Sequence, residues 1–149
     1  LKQRVLILCT GNSARSQMAE GLLRHDAGEA FEVESAGVQP GTVRPEAVAA
    51  MRELGIDISG HRSKHVDEFA LQKFDYVITV CDNAKETCPV FADAVQRLHQ
   101  SFEDPPPPFV GTDEERMIIF RRVRDELRQY LRRFASDAST LRSENKNLE

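Results

Sequence analysis

The chain has 149 residues, 40% of them hydrophobic, which suits one domain built around a single core. Lys and Arg number 20 against 24 Asp and Glu, a net charge of -4 with a pI near 5.6, which argues against a general nucleic-acid binder and makes any anion site a local feature. The longest apolar runs, such as Val5 to Leu8, fall far short of the roughly 20 residues a bilayer demands, and no secretory h-region is seen, so no membrane association and a cytoplasmic location are expected.

Taken in chain order, Arg4 to Cys9 is a short apolar run that reads as a strand. A helix follows from about Arg15 to Ala27, with Met18, Ala19, Leu22 and Leu23 at helical spacing and Gly28 as its stop. Phe31 to Ser35 reads as the next strand and Arg44 to Leu54 as a helix with Pro45 in its first turn. Phe74 to Val80 is a third strand candidate and Val95 to His99 a fourth. Thr112 with Glu115 forms a capping box for a long last helix whose Ile119, Val123, Leu127 and Leu131 make one buried stripe. Its arginines interleave with Asp125 and Glu126 and read as a solvated face, and the polar residues from Ser136 onward as a tail that frays. Strand and helix alternate, which implies parallel pairing through right-handed crossovers and hence an open α/β sheet with helices on both faces. Ligands of such sheets bind beyond the carboxyl ends of the strands. Cys9, Cys81 and Asp104 all lie just past candidate strands, which places them on one edge.

The segment after the first strand carries the chemistry. Between Cys9 and Arg15 stand Thr10, Gly11, Asn12, Ser13 and Ala14, a stretch short enough to curl so that successive N–H groups point at one spot and make an anion nest. The helix starting near Arg15 adds the positive end of its dipole, and the guanidinium can hold two oxygens of a tetrahedral oxyanion. Cys9 would sit beneath that ion, in a field that favours thiolate over thiol. Ser13 and Ser16 offer hydroxyls to the sulfur, and Gly11 and Asn12 tolerate left-handed backbone. A buried strand end followed by an ordinary turn is the bland alternative, and it leaves the coincidence of thiol, nest, guanidinium and helix start unexplained. Asp104 precedes four prolines, Pro105 to Pro108, stiff enough to hold it over the nest as a proton donor.

"CTGNSARS", from Cys9 to Ser16, resembles the signature loop of the low-molecular-weight phosphotyrosine phosphatase superfamily, and with "SQMAEG" after it the thioredoxin-coupled arsenate reductases within that superfamily. The similarity continues through "ESAG" at Glu34 to Gly37, "GIDISGHRSK" at Gly55 to Lys64 and "FEDP" at Phe102 to Pro105. It implies a four-stranded parallel sheet, Cys9 as nucleophile, Arg15 binding the oxyanion and Asp104 as acid. Cys81 and Cys88, with six residues between them, complete a set of three thiols. A hydrolase has no use for such a pair. The resemblance implies that Cys81 attacks Cys9 once arsenate is bound to it, and that Cys88 then attacks Cys81 and moves the disulfide to where thioredoxin reduces it. The polar residues Asp82, Asn83 and Lys85 suit the partial unwinding this transfer requires.

Three departures from the family pattern bear on this. Ala14 stands directly before Arg15, where many relatives have a second loop cysteine. Some arsenate reductases bind potassium through an asparagine, a glutamate, a serine and an aspartate; Asn12, Glu20 and Ser35 fit, whereas Lys64 takes the aspartate position, where a tethered ammonium can replace the ion. Relatives also differ in electron donor, and two resolving cysteines favour thioredoxin over glutaredoxin or a small thiol. Zinc with His61, His65 or His99 matches no usual spacing, so no metal and no cofactor are expected, and His61 and His65, one helical turn apart, read as surface or supporting residues. The alternatives are a phosphatase acting on phosphotyrosine or small phosphate esters, and a non-catalytic redox-responsive binding module. The expected ligands are arsenate with phosphate or sulfate as competitors, and the expected state is a monomer of one domain over residues 1–149.

Overall fold

The apolar run at the N-terminus is the centre of the molecule. In the computed structural model, which describes residues 1–81 and 96–148, it forms strand β1 (Gln3–Cys9), flanked by β2 (Phe31–Gly37) on one side and β3 (Tyr76–Thr79) on the other, with β4 (Gln96–His99) beyond β3. All three pairings are parallel. Val5, Leu6, Ile7 and Leu8 are buried completely or almost so, as expected of a parallel strand covered on both faces. Register sets Val5 level with Val33 and Tyr76 on one face, where Phe31 and Tyr76 both meet Phe134 of the last helix. Arg4 turns to the other face, its guanidinium over Phe74, which packs on Phe69 of a 3-10 turn (Val66–Phe69). This is the open parallel α/β architecture the alternation implies.

Helix α1 (Arg15–Ala27) starts and stops where the spacing places it, and Pro45 is the first residue of α2 (Pro45–Arg52). The long helix α3 (Asp113–Leu148) departs from expectation in three ways. Its buried stripe runs through Phe120, Val123, Leu127, Leu131 and Phe134, with Ile119 only partly buried, because the stripe follows the 3.6-residue period into the aromatic cluster on β2 and β3. It does not fray at Ser136: Ala138 is buried and the helix continues to Leu148. Its arginines are not all solvated, since Arg124 is buried and bonds the Ala50 carbonyl of α2 and Glu53, the residue that follows it. At the start of α3 the Glu115 N–H donates to the Thr112 hydroxyl, which in turn donates to the Glu115 carboxylate, a variation on the expected box.

The strap between α3 and α1 is Asp26, which accepts from Arg128 Nε and Nη2, each at 2.9 Å, and from Arg132 Nε at 3.2 Å. Burial raises its pKa, but the hydrogen bonds of Arg128 and His25 and the charges of Arg128 and Arg132 outweigh burial and hold it at about 2, below its ordinary 3.8. A carboxyl depressed by folding adds stability that is present above its unfolded value and lost as pH falls through the folded one. Asp26→Asn should therefore lose about 1–2 kcal/mol of stability at neutral pH by urea unfolding, a deficit that shrinks between about pH 4 and pH 2.

Candidate active site

Cys9 is the last residue of β1, buried to 2%, and the chain turns immediately beneath the start of α1. Its sulfur accepts the Asn12 N–H at 3.2 Å and lies 2.8 Å from Ser16 Oγ, both contacts that an anionic sulfur takes up. Of the two serines expected at the sulfur, Ser16 alone reaches it; Ser13 instead offers its carbonyl to the Arg44 N–H at 2.8 Å. Asn12 is the one left-handed residue of the loop (φ +48°), and Gly11 is not. What Gly11 supplies is its carbonyl, which accepts from Ser63 Oγ and from the Gly41 N–H. Thr10 and Ala14 complete the curl, the first through its carbonyl to the Gln39 N–H, the second as the residue preceding α1.

Arg15 is 8% exposed and fixed from the far side of the site. Its Nη1 donates to the Phe102 carbonyl at 3.0 Å, and its Nη2 lies 3.3 Å from Asp104 Oδ1. The Asp104 side chain is 76% exposed, so this ion pair orients more than it stabilises and leaves the carboxyl open to a ligand or solvent proton. Arg44 ties the parts together: its main chain holds Ser13, and its Nη2 donates to the Pro106 carbonyl at 3.0 Å and to Glu46 at 2.7 Å. No motif pointed to Arg44, because its role depends on α2 entering beside the loop.

The second thiol arrives from the neighbouring strand. Parallel register pairs Leu8 with Thr79, and the Val80 N–H bonds the Leu8 carbonyl, so Cys81 emerges level with Thr10, whose Oγ1 lies 3.2 Å from Cys81 Sγ. Both Cys9 and Cys81 are free thiols and buried. Cys88, with Asp82, Asn83 and Lys85, lies outside the described residues.

Residues 4–147 match the family described as low molecular weight phosphotyrosine protein phosphatase. The chain belongs to that family. Within it, the chain is 46% identical over 134 residues to an arsenate reductase of Halalkalibacterium halodurans, covering 90% of this chain and 96% of that one. To an arsenate reductase of Bacillus subtilis it is 44% identical over 131 residues, covering 88% and 94%. A solved arsenate reductase in the phosphate binding state superposes with a TM-score of 0.78 at 30% identity, over 91% of this chain and 98% of that one. An arginine phosphatase from Geobacillus stearothermophilus superposes at 0.72 with 28% identity, over 95% and 96%. The phosphatase-family fold therefore carries both kinds of activity among this chain's neighbours.

Beneath the phosphatase-type loop runs a buried polar network. Asn12 Nδ2 donates to Ser16 Oγ and Ser35 Oγ, and its Oδ1 accepts from Gln17 Nε2 and the Lys64 N–H, all between 2.8 and 2.9 Å. The Ser35 hydroxyl donates to Glu20 Oε1 at 2.8 Å. His61 joins through Nδ1, which lies 2.9 Å from Gln17 Oε1 and 3.1 Å from Glu20 Oε2. Burial pushes the His61 imidazole below its usual range against the pull of Glu20, which suits a neutral ring donating from Nδ1. His65 is not one helical turn from His61; it lies outside any helix and caps the 3-10 turn by accepting from the Asp67 N–H. No group of metal-ligating side chains occurs among the described residues. Gly37, level with Cys9 in the sheet, is there because a Cβ would sit 2.6 Å from the Thr10 carbonyl and 2.8 Å from the Asn12 nitrogen. The quoted "ESAG" contained that signal, but only the register shows what the glycine makes room for.

Proposed function

We propose that the protein is an arsenate reductase that passes two electrons through Cys9, Cys81 and Cys88 and is regenerated by thioredoxin. The observation that carries this reading is the Cys81 thiol, held 3.2 Å from Thr10 Oγ1 at the rim of the oxyanion loop, where hydrolysis has no need of a second sulfur. Relatives named arsenate reductase at 46% and 44% identity support it. Arsenate occupies the nest of N–H groups from Thr10 to Ser16 with two oxygens on the Arg15 guanidinium. The Cys9 thiolate attacks arsenic, an As–S bond forms, and an As–O bond breaks as Asp104 protonates the departing oxygen, which leaves as water or hydroxide. Cys81 then attacks the Cys9 sulfur. The As–S electron pair goes to arsenic, As(V) becomes As(III), arsenite leaves and a Cys9–Cys81 disulfide remains. Cys88 attacks Cys81 and frees Cys9, and the dithiol of thioredoxin reduces the Cys81–Cys88 bond. The enzyme works as a monomer in the cytoplasm, with phosphate and sulfate competing for the loop; among the described residues no helix is long and apolar enough to cross a membrane.

A coupled assay tests the reading. Arsenate should drive NADPH oxidation in the presence of thioredoxin and thioredoxin reductase, at a rate far above the protein's cleavage of para-nitrophenyl phosphate. Ester cleavage without arsenate-dependent NADPH oxidation would make the protein a phosphatase. Replacing thioredoxin by glutaredoxin and glutathione identifies the donor.

A further inference from the structure

The polar network under the loop contains a cation of its own. Lys64 is buried to 8% exposure, and its Nζ lies 3.3 Å from Glu20 Oε1, the same oxygen that accepts the Ser35 hydroxyl. Glu34 Oε2 stands 3.9 Å from the ammonium on its other side. Asn12, Glu20 and Ser35 do not fit a potassium ion here: a metal bound to Glu20 would meet an ammonium at the same carboxylate oxygen, and ammonium and metal repel strongly at such a distance out of water.

We infer that Lys64 is a positioning residue, a permanent internal cation that holds the oxyanion loop in its binding shape and makes it indifferent to monovalent metal ions. Residue 64 grips Asn12 at both ends of its amide. Its main-chain N–H donates to Oδ1 at 2.8 Å, and its ammonium fixes Glu20, which fixes Ser35, which accepts from Nδ2 at 2.9 Å. Asn12 in turn is the left-handed residue whose N–H reaches the Cys9 sulfur. Without the ammonium the buried Glu20 carboxylate keeps, among the described residues, the Ser35 hydroxyl, His61 and Arg24, and of these Arg24 is a cation whose side chain is 47% exposed. A buried carboxylate so deprived turns or draws in another cation, and either event moves Ser35 and Asn12.

The inference rests on the loop being an oxyanion site and is separable from it by experiment. Iodoacetamide labelling of Cys9, read by mass spectrometry, gives the phosphate concentration that half-protects the thiol, measured in potassium chloride and in choline chloride at equal ionic strength. The parent protein should be protected equally in both salts. Lys64→Ala, which opens room for an ion, should need roughly tenfold more phosphate in choline and recover most of that loss in potassium. Lys64→Arg, which keeps the charge, should be salt-indifferent like the parent. No protection of the parent by phosphate in either salt would remove the oxyanion site itself. Protection of the parent that depends on potassium, or a Lys64→Ala protein equal to the parent in choline, would overturn the role of Lys64 alone. If Lys64→Ala fails to fold, Lys64→Arg decides: a potassium response in that variant contradicts the inference, and indifference supports it.

Discussion

Replacing Arg15 by lysine should lower arsenate turnover by about 10²- to 10³-fold while leaving the fold intact. The guanidinium is planar and its Nη1 is spent on the Phe102 carbonyl, with Nη2 turned toward Asp104, so its orientation is fixed before any ligand arrives. A lysine ammonium is a point charge on a flexible stem and cannot hold two oxygens while keeping either contact. Phosphate protection of Cys9 against alkylation should weaken too, by less than turnover, because the guanidinium holds oxygens in the ground state and holds them more tightly as charge develops in the transition state. Unchanged protection in Arg15→Lys, with a melting temperature equal to the parent's, would mean that the nest of N–H groups binds the anion without the guanidinium.

How much of this was legible in the sequence divides along physical lines. Local signals were reliable: the apolar run of β1, the helical spacing of α1, and Pro45 opening α2 all depend on residues a few positions apart. The loop was legible for the same reason, since Cys9 to Arg15 is contiguous. Asn12 illustrates the limit. Its left-handed backbone follows from residue type, whereas its side-chain partners Ser35 and Lys64 come from other elements: spacing does not bring them together, the family resemblance groups them only as positions of a potassium site, and the pairing of β1 and β2 in register shows them bonded to its amide instead. Glu20 shows the same limit from another side: in the helix pattern it is a charged residue between apolar ones, and its burial reflects Ser35, Lys64 and His61 brought in from beyond α1. The solvated face holds for Arg121 and Arg122, whose side chains are about half exposed, but not for Arg124 and Arg128, because charge interleaving along one helix says nothing of Glu53 and Asp26 on its neighbours. Ser136 was a misplaced end because polar composition does not reveal that Ala138 finds a buried place.

Cys81→Ser should abolish multiple turnover with arsenate and leave ester hydrolysis by Cys9, Arg15 and Asp104 near the parent level. Nothing else among the described residues places a free thiol beside the loop, since the free cysteines there are Cys9 and Cys81. A serine retains the hydrogen bond with Thr10 Oγ1 that Cys81 makes, so the loop keeps its shape and the effect isolates the sulfur. An alcohol cannot form the disulfide that carries the two electrons away, and the reaction halts with arsenic on Cys9. Both activities falling together would point to a structural effect at the loop; both surviving would remove Cys81 from the reaction.

The central claim is the order of the thiol relay, and Cys88→Ser under single-turnover conditions tests it most directly. With excess arsenate and no external reductant, that protein should release one arsenite per molecule and stop, because Cys9 and Cys81 suffice to expel arsenite and nothing then frees Cys9. Peptide mapping of the arrested protein, without reduction, should find Cys9 and Cys81 joined. Continued turnover of Cys88→Ser with thioredoxin at the parent rate, or arrest without arsenite and without a Cys9–Cys81 bond, would contradict the account.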